Sequence, residues 1–180
     1  MKVREKSPII VDYYPYVDSL RDKILRDCDK VDFTKEVYNW DGGITNVRAS
    51  QTHPMKSVKK FPSVKLLLDY ILNLIRTGDY LISSHIPFEV DHFWITKYEK
   101  GDYTLPHHHY PSVWSFVYFV TAPKGSSPLV FPTSGKRIKA EDGKVVVFPG
   151  HVEHSVPKNK CDGRMVVAGN VMYPYSPYIE

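Results

Sequence analysis

The sequence predicts a mainly β fold with its helices gathered toward the N-terminus, an α+β arrangement whose second half forms a β-sandwich or barrel. Three observations carry this reading. From Phe88 onward the chain is a series of short apolar or alternating runs, FEVDHFWITKYEKGDY, PSVWSFVYFVTAP, PLVFP, KVVVFPG and RMVVAGNVMY, with the length and the β-branched and aromatic content of strands. Turn formers separate them at Lys100-Gly101-Asp102, Pro123-Lys124-Gly125, Asp142-Gly143 and Asp162-Gly163. Before these runs, apolar residues recur at helical spacing in two segments.

The first helix is expected over residues 15–28, where Val17, Leu20, Ile24 and Leu25 share a face. Asn39-Trp40-Asp41-Gly42-Gly43 then reads as a turn between short extended pieces. The second helix, over residues 62–76, is better marked: Val64, Leu67, Leu68, Ile71, Leu72 and Ile75 follow the i, i+3, i+4 pattern, Pro62 suits the first turn and Gly78 the exit. An apolar stripe of this kind must be covered, so the helix is expected to support the β core. With 180 residues the chain is long enough to bury one core without staples. One domain over residues 1–180 is therefore expected, with 1–87 as a helical and extended support region and 88–175 as the β core.

Composition narrows the function classes. The formal charge of +4 arises from 24 basic and 20 acidic residues, and the longest basic cluster, residues 56–60, is too short to indicate nucleic acid. Cys28 and Cys161 lie far apart in sequence, which suggests neither a disulfide framework nor a zinc knuckle and points to a reducing cytoplasm. No run approaches the roughly 18 apolar residues of a membrane span, and MKVREKSPIIVDYYP lacks the pattern of a secretory signal.

The densest chemical signal is Leu105-Pro106-His107-His108-His109-Tyr110, just before a strong strand. In an extended segment residues i and i+2 share a face, so His107 and His109 can converge while His108 points away. Imidazole is the commonest protein ligand for iron, zinc and copper, although a histidine cluster in a loop can also be plain polar surface. The second signal is Phe148-Pro149-Gly150-His151-Val152-Glu153-His154, where an apolar strand enters a turn and delivers His154 at the start of the next extended piece. His151, nearer the turn, is its rival. Two histidines on one strand and a third on a later one form a facial set with adjacent coordination positions open, as oxygen-activating iron requires. Ten residues after His154, Arg164 opens the apolar run Met165-Val166-Val167-Ala168. A guanidinium entering a buried strand needs a partner, and a small ligand's carboxylate suits it because the two pair through parallel hydrogen bonds. A surface Arg paired with Asp162 is the plainer alternative.

Taken together, His107-His108-His109-Tyr110-Pro111-Ser112, Ser115-Phe116-Val117-Tyr118-Phe119, Phe148-Pro149, His154-Ser155-Val156-Pro157, and Arg164 with Asn170 beyond resemble the catalytic half of the iron(II)- and 2-oxoglutarate-dependent dioxygenases. Within that superfamily the chain is most similar to an oxygenase group frequent in bacteriophages and marine bacteria. The resemblance covers roughly residues 90 to 172. It implies a double-stranded β-helix, or jelly-roll, in the cytoplasm of a bacterium or a phage-infected host. It also implies Fe(II) held by His107, His109 and His154, and 2-oxoglutarate paired through its far carboxylate with Arg164, with Tyr118 as a second donor. Oxygen would be the other cosubstrate and hydroxylation of an unidentified substrate the outcome, with succinate and CO2 released. The chain departs from the superfamily at His109, where a carboxylate is usual and for which Asp102 or Glu153 are conceivable stand-ins, and at Phe116, a bulky residue where the group has Gly. Trp94, Tyr98, Tyr103 and Trp114 are candidates to line the mouth.

Two other readings share the architecture. Five residues separate Gly101 from His107 and Gly143 from Pro149, a spacing reminiscent of three-histidine cupin metalloenzymes that do not use 2-oxoglutarate. The Glu such enzymes carry soon after the second histidine is absent, since Val113 and Trp114 stand there. The alternative from another class is a non-catalytic jelly-roll binding or structural module.

Overall fold

The computed structural model describes residues 7–35, 37, 45–78 and 87–174; the turn expected at residues 39–43 lies outside them. In chain order the elements are β1 (Ile10–Tyr13), α1 (Val17–Cys28), β2 (Val47–Arg48), β3 (Ser50–Gln51), a 3-10 turn (Val58–Lys60), α2 (Pro62–Thr77), β4 (Glu89–Tyr98), β5 (Tyr103–His107), β6 (Trp114–Thr121), β7 (Leu129–Phe131), β8 (Lys136–Ile138), β9 (Lys144–Pro149), β10 (His154–Val156) and β11 (Arg164–Met172). The strands form two antiparallel sheets, a larger one ordered β1-β9-β6-β11-β4-β3 and a smaller one ordered β2-β5-β10-β7-β8. This is a jelly-roll with helices on one side, as the sequence predicts.

Strand alternation divides the apolar residues between two cores. Phe93, Ile95, Phe116, Tyr118, Val145, Val147, Met165 and Val167 point from the larger sheet toward α1 and α2, where they meet Leu20, Ile24, Leu67 and Ile71. Tyr98, Val117, Phe119, Val146, Phe148, Val166 and Ala168 point the other way, toward Leu129, Phe131 and Val156 of the smaller sheet. The larger sheet is thus covered on both faces, and β6 and β9 are buried along nearly their whole length.

Pro62 opens α2, whose backbone start is capped from outside the helix: Asp27, at the end of α1, accepts from the Ser63 hydroxyl at 2.7 Å and the Ser63 amide at 3.3 Å. Gly78 ends α2, its amide donating to the Leu74 carbonyl. Among the described residues no helix is long and apolar enough to cross a membrane.

Candidate metal centre

The smaller sheet brings the histidines together. His107, the last residue of β5, stands opposite His154, the first of β10. The next aligned pair is Thr104 with Val156, so three steps along β5 match two along β10. This bulge turns both Thr104 and His107 inward, although their spacing in a regular strand would split them. His109 lies two residues beyond β5. Its backbone amide donates to the Gly150 carbonyl at 2.7 Å, and the Gly150 amide donates to the Val113 carbonyl at 3.0 Å. The β9–β10 turn is thereby laced to the loop that carries His109. The approach is so close that a Cβ on Gly150 would lie 2.1 Å from the Ser112 carbonyl oxygen. Gly150→Ala is therefore expected to displace the His109 loop and weaken metal binding by about tenfold or more, a loss of the size seen when support around a site is removed; calorimetric titration with zinc(II) measures it.

The imidazole centres are 4.3 Å apart for His107 and His154, 4.9 Å for His107 and His109, and 5.0 Å for His109 and His154. Their nitrogen ligand atoms all lie within 4.8 Å of one another, close enough for small side-chain rotations to bring them onto one ion with bonds of about 2 Å. Nδ1 of His107 is 2.8 Å from the Leu105 carbonyl, and Nδ1 of His154 is 3.2 Å from the Val152 carbonyl. A carbonyl can only accept, so each Nδ1 carries the proton and each Nε2 keeps its lone pair. This donor set fits a divalent iron.

Burial holds all three imidazoles neutral. It is the main cause of the lowered pKa of His107, which the Leu105 carbonyl partly opposes, and it pushes His154 down to about 3, helped by His107. His109 is held well below its ordinary range by burial and then by its two histidine neighbours. Such groups bind protons in the unfolded chain at pH values where the folded chain does not. The metal-free protein is thus expected to lose stability as pH falls from about 6.5, the ordinary histidine value, toward about 3. A melting-temperature series over that range checks this. His154→Phe should flatten the slope, and an unchanged slope in that variant would show that His154 is not the group responsible.

Two cavities meet at the histidines. The inner one, about 40 Å³, lies between the sheets and is lined by Thr96, Tyr98, Thr104 and Arg164 together with apolar residues and all three histidines. The outer one, about 400 Å³, is bounded by His107, His109, Trp94, Asp91, His92, Asn170 and the loop running through Ser112. Arg164 is 1% exposed. Its Nε donates to the Ser127 carbonyl at 3.2 Å, and its guanidinium lies 4.3 Å from the Tyr98 ring centre. Nη1 is buried without a hydrogen-bond partner, and among the described residues no carboxylate forms an ion pair with Arg164. Burial lowers its pKa from the ordinary value.

Other expected positions fall differently. Tyr118 is not at the site. It projects from the opposite face of β6 into the helix-side core, 6.3 Å from the Tyr14 ring centre, and so cannot reach the far end of a ligand beside Arg164. The tyrosine beside Arg164 is Tyr98: it pairs with Arg164 in the β4–β11 ladder, and its hydroxyl is 2.7 Å from the Thr104 hydroxyl. Phe116 packs with the helix-side core, and its bulk is matched by Gly169, its directly paired neighbour, where a Cβ would lie 2.7 Å from the ring. Asp102 is taken up in its own turn, accepting from the Glu99 amide and pairing with Lys35. Glu153 and His151 are exposed. Trp94 lines both cavities, whereas Trp114 belongs to the helix-side core and Tyr103 lies beside Lys158.

No family model matches the sequence, and no curated protein matches it. Solved structures do. A viral collagen prolyl hydroxylase from Paramecium bursaria Chlorella virus-1, in complex with 2-oxoglutarate, is similar at a TM-score of 0.68 over 91% of this chain and 94% of that one, with 14% identity. The chain has the fold of the iron(II)/2-oxoglutarate oxygenases. A Pseudomonas putida prolyl-4-hydroxylase is similar at 0.68, over 92% of each chain, with 16% identity. HygX from Streptomyces hygroscopicus, with nickel, 2-oxoglutarate and hygromycin B bound, is similar at 0.67 over 94% of this chain and 84% of that one, with 10% identity.

Reasoning from sequence passes over Asp91 and His92 as well as the place of Tyr98. One signal could have found His92 and Tyr98: His92, Trp94, Thr96 and Tyr98 share a face of β4 by simple alternation, directly across from Arg164 to Asn170 of β11, whereas Asp91 falls at the register shift between Asn170 and Val171 and carries no such signal.

Proposed function

We propose that this protein is an iron(II)- and 2-oxoglutarate-dependent oxygenase of the hydroxylase type, with the metal held by His107, His109 and His154 and the cosubstrate's far carboxylate by Arg164. The observation that carries the reading is the buried guanidinium, whose Nη1 has no hydrogen-bond partner and which has no carboxylate beside it among the described residues. A cation buried in an apolar pocket without a counter-charge is costly. Here it faces the cavity whose other wall is the three imidazoles, so a dicarboxylate reaching from metal to Arg164 would supply both the missing anion and a chelate. The Tyr98 and Thr104 hydroxyls flank the same carboxylate position. Val47, Val117, Leu129, Val156 and Val166 keep that end free of competing water.

Iron bound here with 2-oxoglutarate and O2 would supply the oxidising power, leaving succinate and CO2 and a hydroxylated product. The chain's own contribution is to set three neutral donors, to anchor the cosubstrate in one orientation, and to leave the outer cavity for the substrate. A cytoplasmic setting, suited to iron(II), is supported by the free thiols of Cys28 and Cys161. A three-histidine cupin enzyme would account for the donors but leaves Arg164 without a role.

The test is anaerobic titration with iron(II) and 2-oxoglutarate, followed by exposure to air. A weak visible charge-transfer band and then succinate formation are expected. Metal binding with neither band nor succinate would favour the cupin or the non-catalytic reading.

A further inference from the structure

The outer cavity, which on the reading above receives the substrate, carries a charge that this reading does not use. Among its described lining residues Asp91 is the only carboxylate and there is no lysine or arginine; around it stand Thr45, Asn46, Gln51, Trp94, Ser112 and Asn170. A chain of hydrogen bonds fixes the orientation of its neighbour His92. The Ser115 hydroxyl donates to Oδ1 of Asn170 at 2.9 Å, which turns the Asn170 amide group toward Nε2 of His92 at 3.1 Å. An amide N–H can only donate, so Nε2 accepts and the His92 proton sits on Nδ1, where it is given to Oδ2 of Asp91 at 2.5 Å. The ring of His92 is thus held with its Nδ1–H facing Asp91, and it orients the carboxylate.

Asp91 is ionised: burial works against it, but the hydrogen bond from His92, the electrostatic attraction of His92 and the nearby Lys56 hold its pKa below the usual value. Among the described residues the ion-pair partner of Oδ1 is Lys56, at 3.6 Å, a side chain that is 81% exposed. The carboxylate is also placed with respect to the metal centre. Trp94 lies between His92 and His109, its ring centre 5.6 Å from one and 5.7 Å from the other. A group held at Asp91 is therefore two ring contacts from the proposed iron ligand His109.

We propose that the outer cavity binds its substrate through an ammonium group placed on Asp91, leaving a carbon several bonds along the chain facing the histidines. The substrate class is an alkylamine, either free or as a lysine side chain in a peptide. Trp94 forms the wall along which the intervening methylenes lie, and the neutral amides and hydroxyls opposite admit polar substituents. A carboxylate already ionised and oriented by His92 gains charge-assisted hydrogen bonds from the ammonium without first having to reorganise.

The experiment uses the full chain, labelled with 15N, with zinc(II) and 2-oxoglutarate present. The Trp94 indole and Asn170 side-chain amide signals are followed by NMR. The probes are 1,5-diaminopentane, the peptide acetyl-Gly-Lys-Gly-amide, neutral 1,5-pentanediol and pentanoate. One or both amine probes are expected to shift these signals, and whichever does so tells a free amine from a peptidyl one. The diol and pentanoate should leave them in place. Asp91→Asn, which keeps the shape and an acceptor for His92, is expected to weaken amine binding by about tenfold or more and to leave zinc and 2-oxoglutarate affinities unchanged. Equal shifts from amine and diol, amine binding that survives Asp91→Asn, or no shift with either amine would each overturn the proposal. If zinc and 2-oxoglutarate fail to bind while the amine preference and its dependence on Asp91 persist, the oxygenase reading fails and the amine site stands.

Discussion

Replacing Arg164 by methionine is expected to raise the 2-oxoglutarate concentration for half-maximal succinate formation by roughly 30-fold or more, while the metal-free protein stays as stable as before or becomes more so. The first half follows from removing one partner of a buried, hydrogen-bonded charge pair, a loss of about 2–5 kcal/mol at about 1.4 kcal/mol per tenfold. The second half follows from the unliganded pocket. Arg164 there is a buried cation with an unpartnered Nη1 and no carboxylate beside it among the described residues, so it adds cost to the folded state. Methionine keeps much of the volume and the contact with Tyr98, and gives up one bond to the Ser127 carbonyl. The decisive pair of measurements is the melting temperature without and with 2-oxoglutarate and zinc(II). The native protein should gain several degrees from the cosubstrate and the variant almost nothing. An Arg164 that merely ties strands together would show the reverse pattern, with a large drop in melting temperature and an unchanged response to 2-oxoglutarate. Arg164→Lys should recover only part of the affinity, because an ammonium cannot make the two parallel bonds of a guanidinium.

What could be read from the sequence, and what could not, divides along one physical line. Features set by local spacing were legible. The stripe of α2, the turns at glycine, the pairing of His107 with His109 and the entry of Arg164 into a buried strand all follow from neighbours along the chain. Which face of a strand looks inward is a different question, and it decides the fate of Tyr118. Polar and apolar residues mark the faces of a strand only when one side is wet, and β6 is buried from Trp114 through Val120 because helices cover one side and the second sheet the other. Tyr118 and Val117 therefore look alike in sequence although they face opposite cores. From sequence Tyr98 reads only as a residue that could line the mouth, since its relation to Arg164 is a cross-strand pairing between residues 66 positions apart. The Asp91–His92–Asn170–Ser115 chain is hidden for the same reason, its links running across β4, β11 and β6. The short strands β1 and β8 carry too few residues to show a period at all.

Truncating His109 to alanine is expected to weaken metal binding by more than about 100-fold, beyond the 10- to 100-fold that loss of a mere supporting residue costs, and to abolish succinate formation. The metal-free fold should keep its melting temperature within a few degrees. The two expectations are separable because His109 is held through its backbone. Its amide is bonded to the Gly150 carbonyl and its carbonyl accepts from the Ser112 amide, and neither bond involves the imidazole. The side chain itself is a neutral ring pressed against two others whose mutual repulsion resists protonation, so its removal in the absence of metal takes away little that stabilises the fold. A non-catalytic module predicts the opposite, a loss of stability with no change in metal-dependent chemistry, since none would exist to lose. His109→Asp divides the readings further. A carboxylate reaching the same ion from the same loop restores a third ligand and lowers the charge of the site by one. Metal affinity is then expected to recover well above that of His109→Ala, whereas a cluster that merely packs three rings together would gain only an unsatisfied buried anion and a lower melting temperature.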